Sequence, residues 1–213
     1  MLTIVFIYIL TILTINMLIP NLSKSSKAEE MEQVLNSIKA DNEVFIALLK
    51  KQPYFESTRN ISNIIWGNPN AKLNVTILTN PHCNPCAKMH KRVEKLLEYS
   101  NNICVKYIFS SFNENLDTSN KFLSSIYFNK GKESSKKIFK EWFETGRYKK
   151  DEFFKKYKVD TNLDSKVIDE FNKHKEWKEK TGLRATPTIL VGGYELPDNY
   201  KIEDLKYFTE LNL

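Results

Sequence analysis

Two cysteines stand two residues apart in the stretch Asn80-Pro81-His82-Cys83-Asn84-Pro85-Cys86-Ala87-Lys88-Met89-His90. An alternating apolar run (Leu73, Val75, Ile77) precedes them, and a helical one (Val93, Leu96, Leu97) follows. The pair therefore falls at a predicted strand-to-helix junction. The first turn of a helix carries unpaired backbone N–H groups and the positive end of the dipole. Both favour a thiolate over a thiol, so a cysteine at that end becomes a nucleophile near neutral pH. A second cysteine, one turn further in, attacks the mixed disulfide and releases the partner. Cys83 is thus expected to attack and Cys86 to resolve, and the pair itself is the redox group, with no dissociable cofactor. His82, just before the pair, either stabilises the thiolate or is a solvent-exposed neighbour. The same stretch also admits a metal reading. Cys83, Cys86 and His90, with His82 nearby, have a spacing that fits zinc or copper, as in a metal-binding chaperone.

A second stretch narrows the choice: Arg184-Ala185-Thr186-Pro187-Thr188-Ile189-Leu190-Val191-Gly192-Gly193. A Thr-Pro followed by an apolar strand and a glycine turn, together with the Cys-x-x-Cys, resembles the thioredoxin superfamily over roughly residues 70–211. The resemblance implies an α/β thioredoxin-like fold in which Pro187 is a cis-proline beside the cysteines. It implies that the backbone at Thr186 hydrogen-bonds a bound peptide and that the loop keeps metals off the thiols. Pro187 lies 101 residues after Cys86, further than plain thioredoxin needs. That spacing resembles the envelope Dsb-type branch, in which a helical region interrupts the fold. The chain also resembles the thioredoxin domain fused behind bacterial vitamin K epoxide reductase-like membrane proteins. The implied activity is disulfide exchange with envelope protein thiols and disulfides, recycled by a membrane electron-transfer partner. Pro85 and Thr186 resemble reductase and isomerase members more than the strong oxidase, which carries a histidine inside its pair. One position departs from the family pattern. Members often carry a buried carboxylate six residues before the first cysteine, to help deprotonate the resolving thiol, and Ile77 stands there. Either another group, water or Lys88, then assists, or exchange is slower. A redox-dead peptide-binding module is opposed by the intact Cys83 and Cys86.

The elements that must position these residues can be read along the chain. Leu73–Thr79 reads as the central strand, Ala87–Tyr99 as the active-site helix and Ile103–Phe109 as a second buried strand. Ile64–Ala71 reads as a lead-in to the central strand, and Ser110–Asn120 as a loop. A helical insertion is expected over about residues 117–181, its aromatics (Phe122, Trp142, Phe153, Trp177) serving as helix-packing core and its end marked by Gly182. Thr188–Leu196 reads as a hairpin and Asp198–Asn212 as a closing helix. Domain boundaries follow as a membrane anchor over 1–22, an amphipathic helix and connector over 23–63, and a thioredoxin-like domain over 64–213.

The anchor rests on Leu2–Pro20, which has no charge and is rich in Ile, Leu and Val, long enough to span a bilayer. Nothing basic precedes it and no small-x-small site follows, which argues against a cleaved signal peptide. Lys24 and Lys27 after the segment argue for a cytoplasmic domain; disulfide chemistry argues for an oxidising compartment, and the extracytoplasmic side is the expectation. A segment that is the last span of a larger membrane protein would reconcile the two. Residues 27–51 repeat apolar residues at helical intervals, with Asp41-Asn42 as a break or N-cap, so this helix packs on the domain or pairs two copies into a homodimer. The net charge of +6 comes from lysines interleaved with acids, not from a basic stripe, so no nucleic-acid partner is expected. Cys104, in an apolar run, is expected to be a buried small hydrophobe.

Overall fold

Leu73–Thr79, here β2, lies in the middle of a five-stranded sheet of order β1-β3-β2-β4-β5. The other strands are β1 (Ile65–Gly67), β3 (Ile103–Phe109), β4 (Thr188–Val191) and β5 (Tyr194–Glu195). The computed structural model describes residues 2–57, 59–158, 164–211 and 213. β2 and β3 are parallel, with Ile77 beside Tyr107 and Leu78 beside Ile108; the remaining pairings are antiparallel. A parallel pair needs a long crossover, and α3 (Asn84–Tyr99) supplies it. The alternation expected of β2 is masked because helices cover both faces, so six of its seven residues are buried. One face meets α3, where His90 bonds Tyr107. The other holds a cluster of Leu78, Ile108, Leu190 and Trp177.

The insertion consists of α4 (Asp117–Asn129), α5 (Lys132–Glu144), α6 (Lys150–Tyr157) and α7 (Ser165–Thr181). The expected aromatics form its interior: Phe122, Trp142, Phe153 and Phe154 stack face and edge. α7 ends as expected at Gly182, whose φ of 70° needs a residue without a Cβ. α4 begins inside the segment expected to be a loop, directly after a 3₁₀ turn capped by the Asn113 side chain.

A buried polar cluster ties the insertion to the sheet. Glu170 of α7 is 0% exposed. Its carboxylate accepts from the Asn63 N–H (2.7 Å), Asn63 Nδ2 (2.8 Å) and the Ser62 hydroxyl (2.7 Å), and lies 3.0 Å from His174 Nε2. The Phe109 N–H of β3 donates to His174 Nδ1, which leaves the Nε2 proton for Glu170. Burial pushes the Glu170 carboxyl up, but these donors outweigh it and hold it at about 2.

One expectation is corrected, a second is refined, and a third finds no support among the described residues. The closing helix over Asp198–Asn212 is only a 3₁₀ segment, Ile202–Tyr207, begun by the Asp204 carboxylate on the Lys201 N–H (2.8 Å); Asn212 lies outside the described residues. The connector over 52–63 is not wholly loop. Phe55 N–H donates to Gly193 O (2.8 Å) and Glu195 N–H to Pro53 O (3.0 Å), so this segment lines the sheet edge at β5. Gly193, at φ 93°, has no room for a Cβ: it would meet the Tyr54 ring at 2.6 Å and Phe55 O at 2.9 Å.

The third concerns the N-terminus. Residues 1–45 and 46–213 form two compact units. In the first, α1 runs unbroken over Leu2–Lys39; α2 (Asn42–Leu49), whose residues fall on both sides of the boundary, starts anew because the Asp41 carboxylate caps Glu43 and Val44. Among the described residues no helix is long and apolar enough to cross a membrane. The expected anchor therefore has no spanning helix to support it here, and part of its apolar run, residues 2, 3, 5 and 16–20, has side chains outside the described residues.

Two outcomes follow. Glu170→Ala removes the shared acceptor of four donors, of which the Ser62 hydroxyl and His174 Nε2 belong to buried residues, and should cost about 3–5 kcal/mol in urea unfolding. An unfolded glutamate ionises near about 4.3, so the native cluster stabilises fully above that pH and its contribution disappears as pH falls toward about 2. The variant should lose that slope between the two values. Gly193→Ala should cost about 1–2 kcal/mol from its φ alone, more with the Tyr54 clash, read by the same unfolding curves.

Candidate active site

α3 begins at the cysteine pair. Cys83 is its N-cap, with extended backbone, and its sulfur accepts from the Cys86 N–H at 3.4 Å. Sulfur thus takes the place that a serine or aspartate oxygen holds at most helix starts. Pro85 falls in the first turn, where its missing N–H costs nothing. The Asn80 N–H donates to Cys86 Sγ at 3.3 Å, and the Asn80 side chain accepts from the His82 N–H at 2.9 Å. The loop from β2 to α3 is therefore closed on both sulfurs by backbone donors.

Thr186 and Pro187 meet the pair from the far side. Their peptide bond is cis. The Thr186 carbonyl lies 3.6 Å from Cys83 Sγ, and the Thr186 side chain hydrogen-bonds Cys86. The structure thus brings Cys83, Cys86, Pro85, Thr186 and Pro187 to one place.

The two thiols differ as attack and resolution require. Cys83 is 7% exposed and Cys86 0%. Burial pushes the Cys86 thiol up to about 11, helped by its contact with Cys83. At neutral pH Cys86 rests as a thiol. Both cysteines are free, as is Cys104, which is buried in β3 as expected.

His82 faces the insertion. Its Nε2 lies 2.8 Å from the Ser119 hydroxyl, its ring packs edge-on to Trp142, and the backbone of Arg147 takes a further hydrogen bond. Burial, with Lys150 and Arg147 nearby, lowers its pKa, so the ring is neutral at pH 7. A neutral imidazole bonded to Ser119 is not a charged partner for the thiolate. His90 does not turn back toward the thiols either: its Nδ1 bonds the Tyr107 hydroxyl at 2.8 Å and its ring stacks on Phe143. Among the described residues no group of three or more His, Cys, Asp or Glu is placed to hold a metal ion.

Residues not expected at the site also shape it. Trp142 Nε1 donates to Pro81 O at 3.0 Å, which pins the loop before the cysteines to the insertion. The Tyr148 hydroxyl, on an exposed ring, meets Asn84 Oδ1 at 3.1 Å, between the cysteines. Neither has a sequence signal beyond being aromatic. Lys88, considered as a helper to Cys86, is exposed.

Known proteins share this fold. A family model described as thioredoxin matches residues 59–210. A search of curated proteins finds no match. Among solved structures, Proteus mirabilis ScsC in a transitional conformation is similar at 17% identity and TM-score 0.60, over 89% of each chain. Oxidised BdbD from Bacillus subtilis is similar at 12% identity and TM-score 0.54, over 75% of this chain and 96% of its own. A periplasmic thioredoxin-like protein from Salmonella enterica serovar Typhimurium is similar at 14% identity and TM-score 0.54, over 80% of this chain and 95% of its own. At these identities the structures speak for the fold, while the family model covers most of the chain: the protein belongs to the thioredoxin family.

Proposed function

We propose that this protein is a protein thiol–disulfide oxidoreductase working through Cys83 and Cys86. One observation carries the reading: Cys83 Sγ stands at the start of a helix, 3.4 Å from the Cys86 N–H and 3.6 Å from the Thr186 carbonyl, with Cys86 buried beneath it. A thiolate on Cys83 is held by the helix end, while Cys86 is kept back until a mixed disulfide forms.

The cycle follows from that arrangement. Cys83 attacks a substrate disulfide, its bond to one substrate sulfur forms, and the other substrate sulfur leaves. A substrate strand lying beside Thr186 would place its sulfur against Cys83. Cys86 then attacks Cys83, closing the disulfide and freeing the second substrate thiol. Run backwards, the same steps oxidise a dithiol. Pro85 and Thr186 support a reductase or isomerase, by resemblance.

Envelope proteins are the proposed substrates, and a membrane electron-transfer protein, such as a vitamin K epoxide reductase-like one, the proposed recycling partner. The periplasmic neighbour in Salmonella supports an extracytoplasmic domain. A tether through residues 1–22 rests on sequence alone. α1 leaves Met31, Val34, Leu35 and Ile38 exposed on one helical face, which supports pairing of two copies there.

Cys83→Ser should abolish exchange with a disulfide peptide, and Cys86→Ser should retain the first attack but accumulate the mixed disulfide, seen by mass spectrometry. Limiting iodoacetamide at pH 7 should alkylate Cys83 before Cys86. Equilibration in glutathione buffers should give a potential of about −250 mV or lower for a reductase. A value of about −120 to −180 mV would assign an oxidase or isomerase, and no reversible disulfide at all would end the redox reading.

A further inference from the structure

The turn between α5 and α6, Gly146–Tyr148, lies against the active-site loop and leaves one aromatic ring in the open. It is a single 3₁₀ turn, closed by the Tyr148 N–H on Thr145 O at 3.1 Å and the Lys149 N–H on Gly146 O at 2.9 Å. Gly146 is buried against the Phe153 ring with no room for a Cβ, so the turn sits close on α6. Two contacts join it to the residues on either side of Cys83. The His82 ring bonds the Arg147 backbone, and the Tyr148 hydroxyl donates to Asn84 Oδ1 at 3.1 Å. The Tyr148 side chain is nonetheless 68% exposed.

An exposed tyrosine ordinarily moves among several rotamers, but this one is held from two sides. Arg147 Nη2 donates to its hydroxyl, and the Arg147 guanidinium lies over the ring, 4.4 Å from its centre. The guanidinium makes this contact while its Nε and Nη1 are buried without an acceptor in the protein. The hydroxyl accepts from Arg147 and donates to Asn84, so both ends of the ring's attachment are fixed. A ring already fixed gives up little freedom when another group packs on it, which is why rigid tyrosines serve as contact surfaces.

We propose that Tyr148 is a specificity residue, a platform for an aromatic side chain that stands one or two residues from the substrate cysteine that reacts with Cys83. The proposal rests on the oxidoreductase reading and names its substrate class: extended polypeptides with an aromatic residue close to the half-cystine. The Thr186 carbonyl closes one side of Cys83 at 3.6 Å, and Asn84, next in the chain, carries the contact to Tyr148. An extended chain advances about 3.3 Å per residue. A polypeptide whose sulfur has reached Cys83 therefore brings its neighbouring side chains to the ring. Pro85, exposed beside Asn84, adds to the apolar surface there. Aromatic pairs gain more than the area they bury, through offset or edge-on packing. Tyr148 stands apart from the sulfurs, so its effect falls on substrate binding and not on the making or breaking of the disulfide.

The test uses the full chain, reduced, in single turnovers against two disulfide peptides that differ only in a Phe or a Ser next to the reactive cysteine. Wild type should reach its half-maximal rate at a Phe-peptide concentration about threefold to tenfold below that for the Ser peptide, the range an aromatic contact supplies. The two maximal rates should be alike. Tyr148→Ala should bring the two half-saturating concentrations together. Tyr148→Phe, which keeps the ring and loses the hydroxyl, should retain most of the preference. Equal half-saturation for the two peptides in wild type, or an undiminished preference in Tyr148→Ala, would overturn the platform and leave the oxidoreductase reading intact. A Tyr148→Phe that loses the preference as fully as Tyr148→Ala would also overturn it, because the bond to Asn84 and not the ring would then be responsible. A wild type that exchanges with neither peptide would overturn the oxidoreductase reading, and the platform with it.

Discussion

A helix that starts inside a protein must find acceptors for its first N–H groups, because a buried donor left unpaired costs about 1–3 kcal/mol. α3 starts in this way, and its acceptor is the sulfur of Cys83. The structural need and the chemical need are therefore met by the same contact. The N–H that must be satisfied is the one that holds a thiolate, and the loop that delivers it, Asn80 to Cys83, is fixed by Asn80 bonding both Cys86 and His82. Everything around the site keeps that start in place. β2 feeds it from the sheet centre, Trp142 and Ser119 of the insertion hold Pro81 and His82, and the Thr186 carbonyl closes the side away from the helix.

The insertion must in turn be fixed to the sheet, and the Ser62–His174–Glu170 cluster does this. These three residue types within 3.0 Å of one another look like a hydrolytic triad. The geometry says otherwise. In a triad the carboxylate holds the imidazole nitrogen opposite the hydroxyl. Here Glu170 and Ser62 share Nε2, while Nδ1 is occupied by the Phe109 N–H. Ser62 and Glu170 are fully buried and His174 is 2% exposed, so no substrate can arrive. The cluster is a polar rivet. It fastens α7 to β3 and to the segment before β1, and it holds the end of the insertion from which the chain runs on to Thr186.

Sequence reading recovered what local chemistry specifies. The Cys-x-x-Cys at a strand–helix junction, the Thr-Pro stretch, the bounds of β2 and β3 and the C-cap at Gly182 each depend on residues within a few positions of one another. The misses depend on distant partners. Asp198–Asn212 has an apolar face but forms only a short 3₁₀ segment packed on α3, where Arg92 reaches Glu203. Pro53 and Phe55 read as connector because their hydrogen bonds are made to Gly193 and Glu195, about 140 residues away in sequence. His82 read as either a thiolate stabiliser or an exposed neighbour, because adjacency does not give a side chain's direction; what packs against it, here Ser119 and Trp142, sets that. His174 falls on the apolar face of its helix, but nothing local marks Glu170, four residues earlier, as its buried partner until Ser62 and Asn63 come to meet them.

The two cysteines ask opposite things of the same few residues. Cys83 needs donors and access, and it stands at the rim of the fold. Cys86 needs to be withheld, and burial at 0% exposure does so by making its thiolate costly. In the proposed exchange that separation sets the order of action, and it puts the resolving step at a buried sulfur while Lys88 is exposed. With Ile77 apolar, the polar atoms on this sheet face shift one strand over, to Tyr107, and one helical turn along, to His90. A buried tyrosine–histidine bond that ends on an unpartnered nitrogen beside a carboxylate is expensive to keep in a hydrophobic core.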